Sequence, residues 1–187
     1  MNKKGHSMKI LQIKPTIYFK NNVRESGKIA TREQIDEFYK ETHGHQASVA
    51  SKISKINQSL TKRAFEHDNS KFSASEADMF IKTTSRLKGS TYGSEEYKGF
   101  LAELKPALDH HYKINRHHPE HHKEGIKGMT LVDLTEMLCD WLASTERHDN
   151  GDIFRSIEIN QKRFGYSDEL KQILINTVND EFINSKK

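Results

Sequence analysis

Thr130-Leu131-Val132-Asp133-Leu134-Thr135-Glu136-Met137-Leu138-Cys139-Asp140-Trp141-Leu142 is the stretch whose periodicity is clearest. Leu131, Leu134, Leu138, Trp141 and Leu142 fall on one face of a helix. Thr130 stands where a helix start needs a side-chain acceptor, and Asp133 three residues on takes a capping role. Opposite the leucines lie Glu136 and Asp140, one turn apart, and the same face extends to Arg147. Such an amphipathic segment requires other helices to cover its apolar side.

Those other helices can be read outward from it. Downstream, Asn150–Gly151 breaks the chain. Two helices follow, about Ile153–Phe164 and Asp168–Ile183, split by Gly165. Upstream, Gly125 and Gly128 mark a loop, and Pro119 disfavours helical geometry at His118. Pro106 suits the first residue of a turn running Pro106–Asn115. Ser94 caps a segment through Phe100 and Leu104. Ser73-x-x-Glu76 forms a capping box for a helix through about Leu87, which Gly89 stops. Val49, Ile53, Ile56 and Leu60 keep helical spacing from His45 to His67. Thr31-x-x-Gln34 is a further capping box, and Gly44 is expected to end its helix. The expected fold is all-α, a bundle of about seven or eight helices over residues 31–187. Residues 1–30 form an N-terminal arm, in which Ile10–Ile13 and Thr16–Phe19 read as short strands or irregular chain.

Composition narrows the function classes. Hydrophobic residues make up 34% and charged residues 30%, a polar but globular balance. No apolar run approaches the roughly 20 residues that span a membrane. Ile10–Ile13 is too short for the apolar part of a signal peptide, so a cytoplasmic protein is expected. The single cysteine, Cys139, excludes an intrachain disulfide and a thiolate-rich zinc site; a buried, inert thiol is the expectation. The net charge of +4 suits a phosphate-bearing partner.

Histidine is the unusual residue. Of eleven, six lie within His110–His122. His67 and Asp68 are adjacent, and neighbours on a helix diverge by about 100°, so both can reach one ion only at a helix end or from one side of a cavity. Imidazole with carboxylate fits Mn, Fe, Co, Ni, Mg or Zn. Lys71, one turn on, is placed to hold a phosphate near that ion. His111 and His118 are two helical turns apart, with Pro119 allowing the chain to fold back; His121 and His122 are the most expendable of the group. His45 points inward with Val49 and Ile53. On one straight helix it would lie about 33 Å from His67. It joins the site only if the chain reverses between them, and Asn57-Gln58-Ser59 is the best break.

The order His45, His67-Asp68, His111 and His118, then Asp140, resembles the HD-domain superfamily of metal-dependent phosphohydrolases. Lys71 matches its His-Asp-x-x-Lys form. A longer likeness covers most of residues 45–177. His67-Asp68-x-Ser70-Lys71-Phe72, His117-His118-Pro119-Glu120-His121 and Asp133-Leu134-x-Glu136-Met137-x-Cys139-Asp140-Trp141 resemble an uncharacterised family, a domain of unknown function found in phages and bacteria. The HD resemblance implies a compact helical bundle with one or two divalent metal ions held by His45, His67, Asp68, His111, His118 and Asp140. It implies hydrolysis of a phosphoester or phosphoanhydride, usually of a nucleotide, by a water whose pKa the metal lowers. Lys71 and Arg147 would offset the developing charge. Glu136 or His117 would move the proton.

The competing expectation is a non-catalytic module of the same fold, binding a nucleotide, nucleic acid or protein partner. Nucleic acid is less favoured, because no basic run is interleaved with stacking aromatics. A structural zinc protein is disfavoured by the lack of cysteine pairs. A homodimer is a further expectation drawn from the resemblance.

Overall fold

The computed structural model describes residues 30–89, 95–147 and 151–184. The expected strands at Ile10–Ile13 and Thr16–Phe19 and the Ser94 cap lie outside these. Within them the chain is all-α. It comprises α1 (Arg32–Glu66), α2 (Ala77–Gly89), α3 (Glu95–Ile114), α4 (Leu131–Thr145), α5 (Ile153–Phe164) and α6 (Asp168–Thr177). Among the described residues, six α-helices stand where seven or eight were expected, because the helix ends expected at Gly44 and before Pro106 do not occur. Single 3-10 turns connect them at Asn69–Phe72, Pro119–His121 and Gly125–Gly128, and a π-helical turn, Val178–Ile183, extends α6.

The chain divides into two units, residues 1–51 and 52–187. In the first, Thr31 and Gln34 form the expected capping box: Thr31 N donates to Gln34 Oε1 at 2.9 Å, and Gln34 N to Thr31 Oγ1 at 3.3 Å. Gly44 does not end the helix. A glycine inside a helix costs only about 1 kcal/mol, too little to break 35 residues of otherwise good spacing.

In the second unit, α1 runs unbroken through Asn57-Gln58-Ser59. Pro106 likewise sits inside α3. Proline removes one backbone hydrogen bond and crowds the preceding turn. Here packing on both sides outweighs that cost, since Leu104 and Ala107 are 2% and 0% exposed.

α4, α5 and α6 enclose the core of Leu138, Ile157, Tyr166, Leu174 and Val178. Each helix has its cap. Thr130 and Asp133 form a reciprocal capping box on α4, Asp152 accepts from Phe154 N and Arg155 N on α5, and Ser167 accepts from Leu170 N on α6. Gly165, at φ 66°, takes the left-handed turn between α5 and α6 that a Cβ would strain. The Tyr166 hydroxyl donates to Ile157 O at 2.6 Å, which lets a phenol sit in this core. Leu131, expected in the apolar stripe, is 75% exposed at the start of α4, and Met137 takes its place inside.

Candidate metal centre

α1 ends at Glu66, and the next two residues are His67 and Asp68. Asp68 has φ 58° and ψ 13°, a left-handed geometry unusual for a residue with a Cβ. This turn halts the helix and brings the neighbouring side chains of His67 and Asp68 to within 3.6 Å, which a continuing helix would not allow. Asp68 then opens the 3-10 turn Asn69–Phe72.

The chain after α3 supplies the histidines. α3 ends at Ile114, leaving His111 in its last turn. His118 is extended ahead of Pro119, at φ −91° and ψ 128°. The expected fold-back is present: the rings of His111 and His118 lie 4.9 Å apart, and those of His117 and His118 4.1 Å. His121 and His122 hold the loop instead, each through a ring nitrogen on a backbone oxygen, of Lys113 at 2.7 Å and Arg116 at 2.8 Å.

Asp68 lies at the meeting point. Its Oδ1 is 3.2 Å from His111 Nε2 and 3.5 Å from His117 Nε2, and its Oδ2 is 3.6 Å from His67 Nε2. His67 Nε2 is also 3.6 Å from Asp140 Oδ1 on α4. Three groups with ligand atoms mutually within 4.8 Å follow: Asp68, His111, His117 and His118; His67, Asp68 and Asp140; and His67, His117 and Glu136. In the last, Glu136 Oε1 faces His67 Nδ1 and His117 Nδ1 at 2.9 and 3.2 Å. Ligands about 2 Å from a common ion stand roughly 3.3 to 4.2 Å apart, and the Asp68–His117, His67–Asp68 and His67–Asp140 distances of 3.5, 3.6 and 3.6 Å lie in that range. Asp68 is common to the first two groups.

Unsatisfied atoms test the fit. Asp68 Oδ1, His117 Nε2 and His118 Nε2 are buried and have no hydrogen-bond partner. Buried polar atoms are seldom left so. Three of them converging, all lone-pair donors, is what a cation would resolve. The second ring nitrogens are already engaged. His67 Nδ1 and His117 Nδ1 lie 2.9 and 3.2 Å from Glu136 Oε1, and His111 Nδ1 lies 3.0 Å from Glu76 Oε2. A carboxylate can only accept, so each of these Nδ1 atoms carries a proton, and Nε2 is the atom an ion would take.

Charge in the site favours a cation. Hydrogen bonding to Asp140 and Glu136, with Asp68 and Asp140 charge added, pushes His67 up to about 10 despite burial. Burial acts to raise the Asp68 carboxyl, but His111, Lys71 and His67 more than offset it and hold it well below the usual range. Glu136 is held low in the same way by His117, His67 and Arg63. Burial, with the charges of His117 and His111, lowers His118 to about 3, so it is neutral and keeps its lone pair.

A buried brace supports the ligands. Asp133 is 0% exposed and accepts from Arg63 Nη2 at 2.7 Å and from Arg116 at 3.1 and 3.0 Å. Arg63 also donates to Glu136 Oε2 at 2.8 Å. The end of α1, the loop after α3 and the start of α4 are thereby tied to one carboxylate. Burial works against the Asp133 charge, but Arg116, Thr130 and Arg63 keep it well below its ordinary pKa.

The sequence-based site residues therefore divide. His67, Asp68, His111, His118 and Asp140 converge. His117 and Glu136, expected to move a proton, stand with them. His117 offers a ligating atom, and Glu136 already accepts from two histidines and Arg63. Lys71 is present but bonded to Asp68 Oδ2. His45 is exposed in the first unit and belongs to none of the ligand groups, and the expected break at Asn57-Gln58-Ser59 does not occur. Arg147 is exposed in a turn beyond the end of α4, so the expected face it shared with Asp140 does not extend that far.

Two expectations are corrected by burial. Cys139 is exposed, not buried, because it lies off the leucine face of α4; desolvation and the Glu136 and Asp140 charges raise its pKa, so the thiol stays protonated. Glu76 is not the partner of a Ser73 cap. It is 0% exposed and bonds His110, His111 and Ser70, while Ser73 Oγ has no partner. Glu76, Arg63 and Asp133 were not singled out as site residues. Arg63 and Asp133 lie one helical turn from His67 and Glu136, and only tertiary packing separates the three from surface charges.

Fold and site together define an all-α protein with a histidine–carboxylate cluster suited to divalent cations. A family model described as a family of unknown function (DUF5662) matches residues 34–181, so the chain belongs to that family. Comparison with curated proteins and with solved structures gave no match. No helix among the described residues is long and apolar enough to cross a membrane.

Proposed function

We propose that this protein is a metal-dependent phosphohydrolase of the HD type acting on a nucleotide or another phosphorylated small molecule. The observation that carries the reading is the meeting of Asp68 with His67, His111, His117, His118 and Asp140, three of whose buried atoms lack any partner. One or two divalent ions held there would lower the pKa of water and offset charge on phosphoryl oxygens. The chain's own residues supply the rest. Glu76 and Glu136 fix the histidine rings. Lys71 is one-third exposed beside Asp68 and can turn its ammonium to a phosphate. Asp140 Oδ1 lies 3.6 Å from His67 Nε2, and despite burial the neighbouring His67 holds it below its usual pKa, so it remains charged near neutral pH.

A second reading has its own observation. The group Asp68, His111, His117 and His118 offers four ligands, the number that closes a structural zinc site. A binding module with a structural ion follows if no open position exists. A hydrolysis screen decides between them. The ion-reconstituted protein is tested on nucleoside mono- and triphosphates beside Asp140→Asn. Release of phosphate by the wild type, falling at least tenfold in the variant, supports catalysis. Metal bound with no turnover of any nucleotide supports the module.

A further inference from the structure

Two carboxylates belong to the cluster through the far sides of its histidines. Glu76 Oε2 lies 3.0 Å from His111 Nδ1, and its Oε1 lies 2.7 Å from His110 Nδ1. Glu136 turns a single oxygen, Oε1, to both His67 Nδ1 and His117 Nδ1, at 2.9 and 3.2 Å. Its other oxygen is fixed by Arg63, which Asp133 holds in turn. The two ligand groups that contain Asp68 sort these contacts. His111 and His117 serve the four-ligand one, and His67 the one completed by Asp140. Glu76 thus touches a ligand of one group, and Glu136 a ligand of each.

We propose that Glu76 and Glu136 are positioning residues with divided control over two ion positions: Glu76 governs the four-ligand position alone, and Glu136 governs both. The inference rests on the metal-binding reading above. A histidine that gives Nδ1–H to a carboxylate is fixed in tautomer and orientation, and its Nε2 becomes a stronger donor. Neutralising the carboxylate keeps an acceptor in place but removes the charge. Such partners change metal affinity by about 10- to 100-fold. The division follows from which ring each carboxylate holds, and the shared oxygen of Glu136 links it, through His67 and His117, to both positions. Glu76 is also bound by Ser70, which accepts from Asn115 at 2.7 Å, so the brace on His111 joins the 3-10 turn to the end of α3.

The test uses the full chain, stripped with chelator and titrated with cobalt(II). Equilibrium dialysis gives the number of ions and their affinities, and visible absorption reports their coordination. Wild type, Glu76→Gln and Glu136→Gln are compared, with far-ultraviolet circular dichroism to confirm folding. The expected result is two cobalt ions in the wild type. Glu76→Gln weakens one by about 10- to 100-fold, changes its absorption, and leaves the other within about threefold. Glu136→Gln weakens both. Should a glutamine variant fail to fold, Glu76→Asp and Glu136→Asp keep the charge, draw the oxygens back, and are expected to show the same division. Equal loss at both positions in the Glu76 variant, loss at only one in the Glu136 variant, or unchanged affinities overturn the proposal. A wild type that binds one ion overturns it and spares the metal-binding reading. A wild type that binds none overturns both.

Discussion

Replacing Asp133 by alanine removes the group that ties three chain segments together. The magnitude can be worked from its partners. Asp133 accepts two hydrogen bonds from Thr130, the N–H at 2.9 Å and the hydroxyl at 2.8 Å, which cap α4. Losing a cap costs about 1 kcal/mol. Hydrogen bonds to a charged group contribute about 1.5–3 kcal/mol. The lower half of that range applies, because Arg63 and Arg116 are 24% and 46% exposed and water can solvate them after the change. The total is about 3 kcal/mol. In a chain of this length each kcal/mol shifts Tm by roughly 2–4 °C, so the melting point should fall by about 10 °C. Urea denaturation and calorimetry of Asp133→Ala, with Arg116→Ala as the milder control, measure it. A cost below about 1 kcal/mol would mean that Asp133 is only a surface cap, as its sequence position alone suggests, and the brace would not exist.

Other outcomes follow from the same structure. In the ion-free protein, His67 has a raised pKa, so its share of stability is full below about 6.5 and is lost as pH rises through about 10. Asp68, Asp133 and Glu136 have lowered values; their share is present above about 4.5 and is lost as pH falls. His118, lowered to about 3, also favours the folded state less as pH drops below its unfolded value of about 6.5. Urea midpoints of chelated protein should therefore peak near neutrality, and a midpoint still climbing at high pH contradicts the charge arrangement. Ile157→Ala, at a 0% exposed position in the α4–α6 core, should cost about 2–5 kcal/mol by denaturant melt; a change under 1 kcal/mol would place the core elsewhere.

What could be read from the sequence was governed by local chemistry. The Thr130–Asp133 cap, the α5 span and the start of α6 are set by residues within one turn of each other; the end of α6 comes at Thr177, before the expected Ile183, where a π-helical turn takes over. The prediction that His67 and Asp68 share a site at a helix end needed only the 100° step between helical neighbours. His118 could be taken out of the helix because Pro119 constrains it. Errors arose where distant packing outweighed a local signal. Gly44 is a weak breaker and Pro106 a strong one, yet both lie inside helices with enough other support, and His45 stands in no ligand group. Ser73-x-x-Glu76 had the pattern of a capping box, yet two histidines 34 and 35 residues away draw Glu76 inward. The roles of Arg63 and Asp133 depend on contacts 70 residues apart in the chain, which no periodicity records.

The central claim is that a divalent ion binds at Asp68. Elemental mass spectrometry of the purified protein tests it most directly, beside Asp68→Gly, which removes the carboxylate and accepts the left-handed backbone without strain. The account predicts one or two equivalents of Mn, Fe, Co, Ni or Zn in the wild type, lost in a variant that remains folded. A wild type that takes up no ion after reconstitution, or a variant that keeps its full complement, would contradict it.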